Sequence, residues 1–238
     1  ATTEIYTLSL HDALPIWVRS AIPGADLQMA IMGKIVEQWC HPPSTILDLG
    51  CGDGILGRYL LDRFPTAQGI FVDFSEPMLA AVRQKVSHLP QAQVRVADFG
   101  VAEWVEAVAD QETIDVVISG FAIHHQPDNR KQALYAEIYD RLAPDGVFLN
   151  LEHVASATPA GEALFDEFFI DDLYAFHAQT NPTVKREAIA DKYYRRGDKV
   201  ENILAPVEQQ CQWLRDIGFR DVDCFFKTFE LALFGGRK

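Results

Sequence analysis

The sequence is poor in basic residues. Its 238 residues contain 21 Lys and Arg against 34 Asp and Glu, which leaves a formal net charge of −13. Binding to DNA or RNA needs clustered positive charge to neutralise phosphates, so this composition argues against a nucleic-acid partner. The sequence also has no uninterrupted apolar run near the roughly 18 residues that span a bilayer, which argues against a membrane protein.

Cysteine is scarce as well, with four residues at Cys40, Cys51, Cys211 and Cys224. They form no CxxC pair and no spacing typical of a zinc site. We therefore expect reduced thiols, no metal and a cytoplasmic location. The apolar fraction is 48%, which excludes a wholly disordered chain and predicts a single globular domain. A homodimer is compatible with this composition.

The first 16 residues differ in character from the rest. They read ATTEIYTLSLHDALPI and lack the basic start and long apolar stretch of a signal peptide. This stretch resembles a translated sequencing-adapter artefact. We therefore expect residues 1–16 to be non-native and the domain to occupy residues 17–238. An ordinary N-terminal helix is the alternative interpretation.

From residue 25 onward, short apolar segments alternate with segments of helical periodicity. Continuous apolar strands are typical of a parallel sheet covered by helices on both faces. Two final strands lie too close together for a crossover helix, so we expect an antiparallel hairpin. A short helix is predicted at residues 101–109 and a helical insertion at residues 155–206. The predicted strands are 45–49, 69–73, 94–97, 114–119, 147–151, 222–229 and 231–234.

A glycine-rich turn follows the first predicted strand. Residues 45–57 read TILDLGCGDGILG. Glycine allows a positive φ and a close ligand approach, and the following helix offers free N–H groups. In a doubly wound sheet a cofactor binds at this place. Residues 52–57 also satisfy the GxGxxG dinucleotide pattern, so an NAD-binding oxidoreductase is one alternative.

Three acidic residues favour a different ligand. Asp48 precedes the glycines, where it would repel a pyrophosphate but attract an amino group. Asp73 ends the second strand, where an acid can bind both ribose hydroxyls. Asp98 follows the third strand, where it can accept from an adenine amino group while Phe99 packs on the base. A nucleoside with a cationic amino-acid tail fits this set, and S-adenosylmethionine (SAM) is such a molecule.

With these motifs the sequence resembles the class I SAM-dependent methyltransferases. The segments that carry the resemblance are LDLGCGDG (47–54), VDFSEPML (72–79), VADFG (96–100), IDVVISGFAIHH (114–125) and RLAPDGVFLNLEH (141–153). It implies a Rossmann-like α/β fold: a seven-stranded sheet, mostly parallel, with a reversed C-terminal β-hairpin, helices on both faces and a helical lid insertion. It also implies SAM as cofactor and S-adenosylhomocysteine as product. We expect a small-molecule acceptor that is methylated on O or N, with sulfur and carbon as alternatives.

The resemblance assigns roles to individual residues around the cofactor. The methionine part is expected near Asp48 and residues 50–52, the ribose near Asp73, and the adenine near Asp98. Ser119 is expected beside the sulfonium. The full set of expected cofactor contacts is Arg19, Asp48, Gly50, Cys51, Gly52, Asp73, Phe74, Met78, Asp98, Phe99 and Ser119.

Acceptor-side residues are predicted from their place after the fourth and fifth strands. His124 and His125 are candidate general bases, because histidine titrates near neutral pH. The alternative is that one of them caps a helix or packs under the lid. Glu152 and His153 end the fifth predicted strand and are also expected to face the acceptor. Arg195 or Arg196 could clamp a carboxylate or phosphate, although a solvated helix face explains them equally well.

A narrower resemblance exists to the carboxy-SAM synthases of tRNA wobble-uridine modification. It is carried by RSAIPG at 19–24 and by ENIL with the helix after it at 201–214. It suggests Arg19 as a neighbour of the methionine carboxylate. The chain departs from that subfamily at Ala25, where the subfamily has Tyr, and at Ser119, where it has Asn. We therefore expect ordinary methyl transfer, with a carboxy-SAM synthase or a non-catalytic SAM-binding protein as alternatives.

Overall fold

The computed structural model describes residues 22, 24–40, 42–195 and 201–238. Their centre is a seven-stranded sheet in the order β3-β2-β1-β4-β5-β7-β6, in which only the β5–β7 and β7–β6 pairs are antiparallel. The strands are β1 (Thr45–Leu49), β2 (Gln68–Asp73), β3 (Ala92–Val96), β4 (Ile114–Gly120), β5 (Leu142–His153), β6 (Arg220–Thr228) and β7 (Leu231–Arg237).

Helices connect the parallel strands and cover both faces of the sheet. Two hydrophobic clusters, one on each face, hold them there, and every residue of β1 is buried between these clusters. Continuous burial explains why the strands are apolar throughout instead of alternating. The described α-helices are α1 (Ala25–Trp39), α2 (Ile55–Arg63), α3 (Glu76–Val86), α4 (Asp128–Arg141), α5 (Pro159–Thr180), α6 (Arg186–Arg195) and α7 (Val207–Ile217).

The C-terminal hairpin forms as the strand spacing predicts. Thr228 pairs with Leu231, so a two-residue turn joins β6 to β7. Its first residue, Phe229, has a φ of 50°. Strand β7 then runs antiparallel beside β5, and His153 lies opposite Leu231. The turn is therefore brought to the edge of the sheet at which β5 ends. The expected fold class is confirmed.

The predicted insertion contains α5 and α6, which pack against each other. The rings of Phe169 and Tyr193 lie 5.8 Å apart, and the Tyr193 hydroxyl donates to Asp166 Oδ1 at 2.6 Å. Residues 202–206, here called the strap, follow as a non-helical segment and lead into α7. None of the described helices is long and apolar enough to cross a membrane.

One predicted element has a different geometry. The helix expected at residues 101–109 is a 3₁₀ helix, Ala102–Val108. Trp104 anchors it in the core at 1% exposure and donates to Glu137 on α4, so tertiary contacts set its form. The expectation that residues 1–16 are non-native lies outside the described residues.

Candidate active site

The glycine turn after β1 has the backbone geometry that its sequence predicts. Gly50, Gly52 and Gly54 have φ values of 67°, 52° and 74°, all in the left-handed region. A Cβ atom on Gly50 would lie 2.5 Å from the Ala122 Cβ and 2.9 Å from a ring carbon of Phe99. No other residue fits at position 50 without moving these neighbours.

The three acidic residues of the cofactor side accept hydrogen bonds from backbone N–H groups. Asp48 Oδ2 accepts from Gly57 at 2.8 Å, at the start of α2. Asp73 accepts from Gly52 and from Ser75, both at 2.8 Å. Asp98 accepts from Gly100 at 2.7 Å, and its side chain is exposed. Each carboxylate lies at the carboxyl end of its strand, so the structure brings all three acids to one edge of the sheet.

The other expected cofactor contacts surround the same turn. Met78 lies next to Gly52, since its Cε would be 3.5 Å from a Cβ placed there. Phe74 is 48% exposed at the end of β2, whereas Phe99 is buried beneath the turn. Burial and the nearby Asp48 and Asp73 raise the pKa of the Cys51 thiol, so the cysteine stays a neutral side chain.

Two contacts of this turn were not anticipated. The buried Asp53 pairs with Lys85 at 2.6 Å and so ties the turn to α3. The hydroxyl of Ser119 is completely buried and donates to the Leu49 carbonyl at 2.7 Å. Ser119 therefore joins the ends of β4 and β1, and this contact uses its only donor.

On the acceptor side, His124 forms a buried pair with Glu152. Its Nδ1 lies 2.6 Å from Glu152 Oε1, and its backbone N–H donates to Oε2 at 3.0 Å. Burial alone raises the pKa of Glu152, but His124, the His153 backbone N–H and His125 together outweigh burial, and the net pKa is lowered. The glutamate is therefore an ionised acceptor, and Nδ1 of His124 carries the proton that it accepts.

The loop after β4 holds His124 in a constrained backbone. Phe121 has a φ of 53°, which is unusual for a bulky residue, and its N–H donates to the Leu151 carbonyl at 2.8 Å. The strap lies against this loop, because Ile203 N–H donates to the His124 carbonyl at 2.9 Å. The buried Lys131 ammonium in turn donates to the Ile203 carbonyl.

Two more histidines lie beside His124. The His125 ring is 4.0 Å from the His124 ring, centroid to centroid. The His153 ring is 5.9 Å away, and its Nε2 lies 2.8 Å from Glu230 Oε2. The structure thus brings His124, His125 and His153 together. Glu152 had a sequence signal, because it and His153 end the fifth predicted strand, but Glu230 had none.

The structure gives less support to the arginines predicted to contact the cofactor or the acceptor. Arg195 is 79% exposed and pairs with Asp191 on its own helix at 2.9 Å. The predictions for Arg19 and Arg196 lie outside the described residues.

The first comparison with known proteins is with models of protein families. Residues 46–146 match the family model of a methyltransferase domain. The matched segment runs from β1 into β5, so this part of the chain is similar to methyltransferase domains.

Curated relatives differ in how much of the chain they match. A carboxy-S-adenosyl-L-methionine synthase of Shewanella amazonensis is 27% identical over 90% of this chain and 84% of its own length. A trans-aconitate 2-methyltransferase of an Acidovorax species is 36% identical, but over 48% of this chain and 40% of its own length.

Solved structures share the fold at low identity. An O-methyltransferase family protein of Burkholderia thailandensis superposes with a TM-score of 0.58 at 16% identity over 92% of this chain. Human N-acetylserotonin methyltransferase, solved in complex with SAM, gives 0.56 at 18% identity over 99%. The chain spans 61% of each of these two proteins.

The chemistry of the cofactor side fits SAM. Glycines leave room for a ligand against the backbone, and carboxylates at the strand ends match a ligand with an amino group, ribose hydroxyls and an adenine amino group. The exposed ring of Phe74 adds an apolar surface on the same rim. Asp48 and the 50–52 turn would hold the methionine part, Asp73 the ribose and Asp98 the adenine.

Proposed function

We propose that the chain transfers a methyl group from SAM to an oxygen or nitrogen atom of a small-molecule acceptor, with His124 as the general base. The observation that carries this proposal is the buried His124–Glu152 pair at the sheet edge where β4 and β5 end. A glutamate that accepts the Nδ1 proton fixes the tautomer of the imidazole. Nε2 is then the atom that can take a proton from the acceptor.

When bound, SAM supplies an electrophilic methyl group for in-line displacement. The protein must align the acceptor, remove its proton and exclude water. The loop of Phe121 and the strap fix the position of His124. Helices α5 and α6 cover this edge with aromatic side chains, which supports the exclusion of water.

Several observations support a small acceptor and a cytoplasmic enzyme. The net charge of −13 opposes binding to a nucleic acid. Among the described residues all four cysteines are free thiols, which is typical of a reducing compartment.

A first experiment tests the cofactor by calorimetry and thermal shift with SAM, S-adenosylhomocysteine, carboxy-SAM and NAD. A ligand that binds only the folded state raises stability by about 2.7 kcal/mol at 100 times its Kd. We expect stabilisation by SAM and its product and none by NAD. Stabilisation by NAD alone would instead favour the oxidoreductase interpretation of the glycine pattern.

A second experiment tests the base by comparing His124→Asn with His125→Asn. His125 is a matched control, because it is the same residue type on the same loop. We expect kcat to fall about 10²–10⁴-fold in the first variant, the usual range for a lost general base, and much less in the second. Cofactor affinity should change little in either. Full turnover of His124→Asn would remove His124 as the base.

A carboxy-SAM synthase is the second candidate. It is supported by relatives of that name that match almost the whole chain. Much tighter binding of carboxy-SAM than of SAM in the calorimetric test would favour it over methyl transfer.

A further inference from the structure

A second pair of a histidine and a carboxylate lies beyond the candidate base. Glu230 is in the turn between β6 and β7, is 3% exposed, and accepts from His153 Nε2 through Oε2 at 2.8 Å. Its other oxygen, Oε1, is buried and has no hydrogen-bond partner among the described residues. Burying a carboxylate oxygen without a hydrogen-bond donor costs free energy. We therefore expect a ligand to donate a hydrogen bond to this atom.

The position of Glu230 places this oxygen on the acceptor side. The Glu230 carbonyl accepts from Val154 N–H at 2.8 Å, which fixes the turn against the end of β5. His153 links the two pairs, because its backbone N–H donates to Glu152 Oε1 at 3.0 Å and its ring lies 5.9 Å from the His124 ring. The side chains of the two pairs therefore lie next to one another along the edge where the acceptor is proposed to bind, in the order Glu152, His124, His153 and Glu230.

Aromatic rings surround the second pair. Phe165 of α5 lies 5.6 Å from the His153 ring, centroid to centroid. Phe229 in the hairpin turn lies 6.4 Å from Phe165 and 5.1 Å from Phe168. An acceptor that reaches Glu230 thus meets a wall suited to an apolar or aromatic body.

The charges at this edge select against an anionic acceptor. Within the described part of the chain, the ion-pair partners of Glu152 and Glu230 are histidines, with no Lys or Arg against either carboxylate. Among these described residues, a carboxylate ligand would meet two buried acidic side chains without a Lys or Arg beside them. A hydroxyl or a protonated amine would instead donate to Oε1.

We propose that Glu230 is a specificity-determining residue that binds a hydrogen-bond donor, a hydroxyl or a protonated amine, on an acceptor with an aromatic body. This inference rests on the proposed function, since it takes the same edge as the acceptor site. It predicts discrimination against acceptors that carry a carboxylate at the corresponding position.

Three small molecules that share an aromatic ring and differ in their terminal group test the inference. Phenethylamine, 2-phenylethanol and phenylacetate carry an ammonium, a hydroxyl and a carboxylate on the same phenyl ring, which has no other donor. Calorimetry measures their Kd on the full chain saturated with S-adenosylhomocysteine. We expect phenethylamine and 2-phenylethanol to bind at least about tenfold more tightly than phenylacetate, the effect of one hydrogen bond to a charged group. This ranking needs no variant.

Glu230→Gln then tests the residue itself. It keeps the shape of the side chain but removes its charge. We expect the phenethylamine Kd to rise about tenfold or more, and its preference over phenylacetate to shrink by a similar factor. Glu112→Gln is the matched control, because Glu112 is exposed and precedes β4 at the opposite edge of the sheet. It should leave all three Kd values unchanged.

The outcomes separate this inference from the proposed function. If S-adenosylhomocysteine itself fails to bind the unmodified chain, the proposed function falls and the inference with it. If it binds but phenylacetate binds as tightly as the other probes, or none of the three binds, the inference alone is overturned. Equal behaviour of Glu230→Gln and Glu112→Gln would also overturn it.

Discussion

The two sides of the candidate site hold their acidic residues in different ways. On the cofactor side, Asp48, Asp73 and Asp98 accept from backbone N–H groups at most 21 residues away in the chain. On the acceptor side, Glu152 and Glu230 meet histidines 28 and 77 residues away. Backbone donors are present whatever the side chains are, whereas a side-chain pair exists only if two distant elements pack correctly. The cofactor side is therefore the more strongly determined by local sequence.

The largest effect is expected where the backbone of the cofactor side is altered. Gly50→Ala would place a Cβ 2.5 Å from the Ala122 Cβ at a φ of 67°. Left-handed strain and overpacking together should lower the free energy of unfolding by about 2–5 kcal/mol. Affinity for S-adenosylhomocysteine should fall in any fraction that folds. Chemical denaturation and calorimetry measure the two quantities.

Gly161→Ala is the matched control for this substitution. A Cβ at Gly161 would meet its nearest neighbour at 3.4 Å, an ordinary contact, within the first turn of α5. Alanine should be neutral there or stabilise by up to about 1 kcal/mol, because it favours the helix. If Gly50→Ala proved as harmless as Gly161→Ala, the turn would not be the constrained element that we describe.

The second largest effect is expected on cofactor affinity when Asp73 is changed. Its carboxylate accepts from the Gly52 N–H and is proposed to bind the ribose. Asp73→Asn removes the charge and turns one acceptor into a donor. We expect cofactor affinity to fall about 10–100-fold, the effect of losing charged hydrogen bonds. Asp62→Asn, at an exposed position of α2, is the control. An unchanged cofactor affinity in Asp73→Asn would contradict the proposal that Asp73 binds the ribose.

The same difference explains what the sequence could predict. Strand β1 is matched at both ends, and the hairpin follows from the short spacing of its strands. Asp48 and Asp73 were found because glycines at fixed offsets define their surroundings. Glu230 was missed, because nothing near it in sequence indicates that a turn residue will be buried against His153. The family model also stops at residue 146, before both acceptor-side glutamates.

A smaller effect concerns the acceptor side, where the contribution of Glu152 to the free energy of unfolding depends on pH. The lowered pKa of Glu152 means that the unfolded chain binds more protons below the ordinary glutamate pKa near 4.5. The stabilisation is present above that pH and is lost as pH falls through the lower folded pKa. Denaturation of the wild type and Glu152→Gln at decreasing pH should show a weaker acid loss in the variant. An equal slope in both proteins would mean that the pair with His124 contributes nothing.

The smallest expected effect is a difference in thiol reactivity that requires no mutation. Burial raises the pKa of Cys40 and Cys211 to about 12, and burial next to Asp48 raises that of Cys51 as well. At pH 8 a thiol with such a pKa is about 0.01% thiolate, so iodoacetamide should label these three slowly. Cys224 is partly exposed and should react first, and all four should react alike in urea. Mass spectrometry resolves the sites. Fast labelling of Cys51 in the folded protein would show that the glycine turn opens readily, and that the cofactor side is less firmly held by its backbone bonds than its geometry indicates.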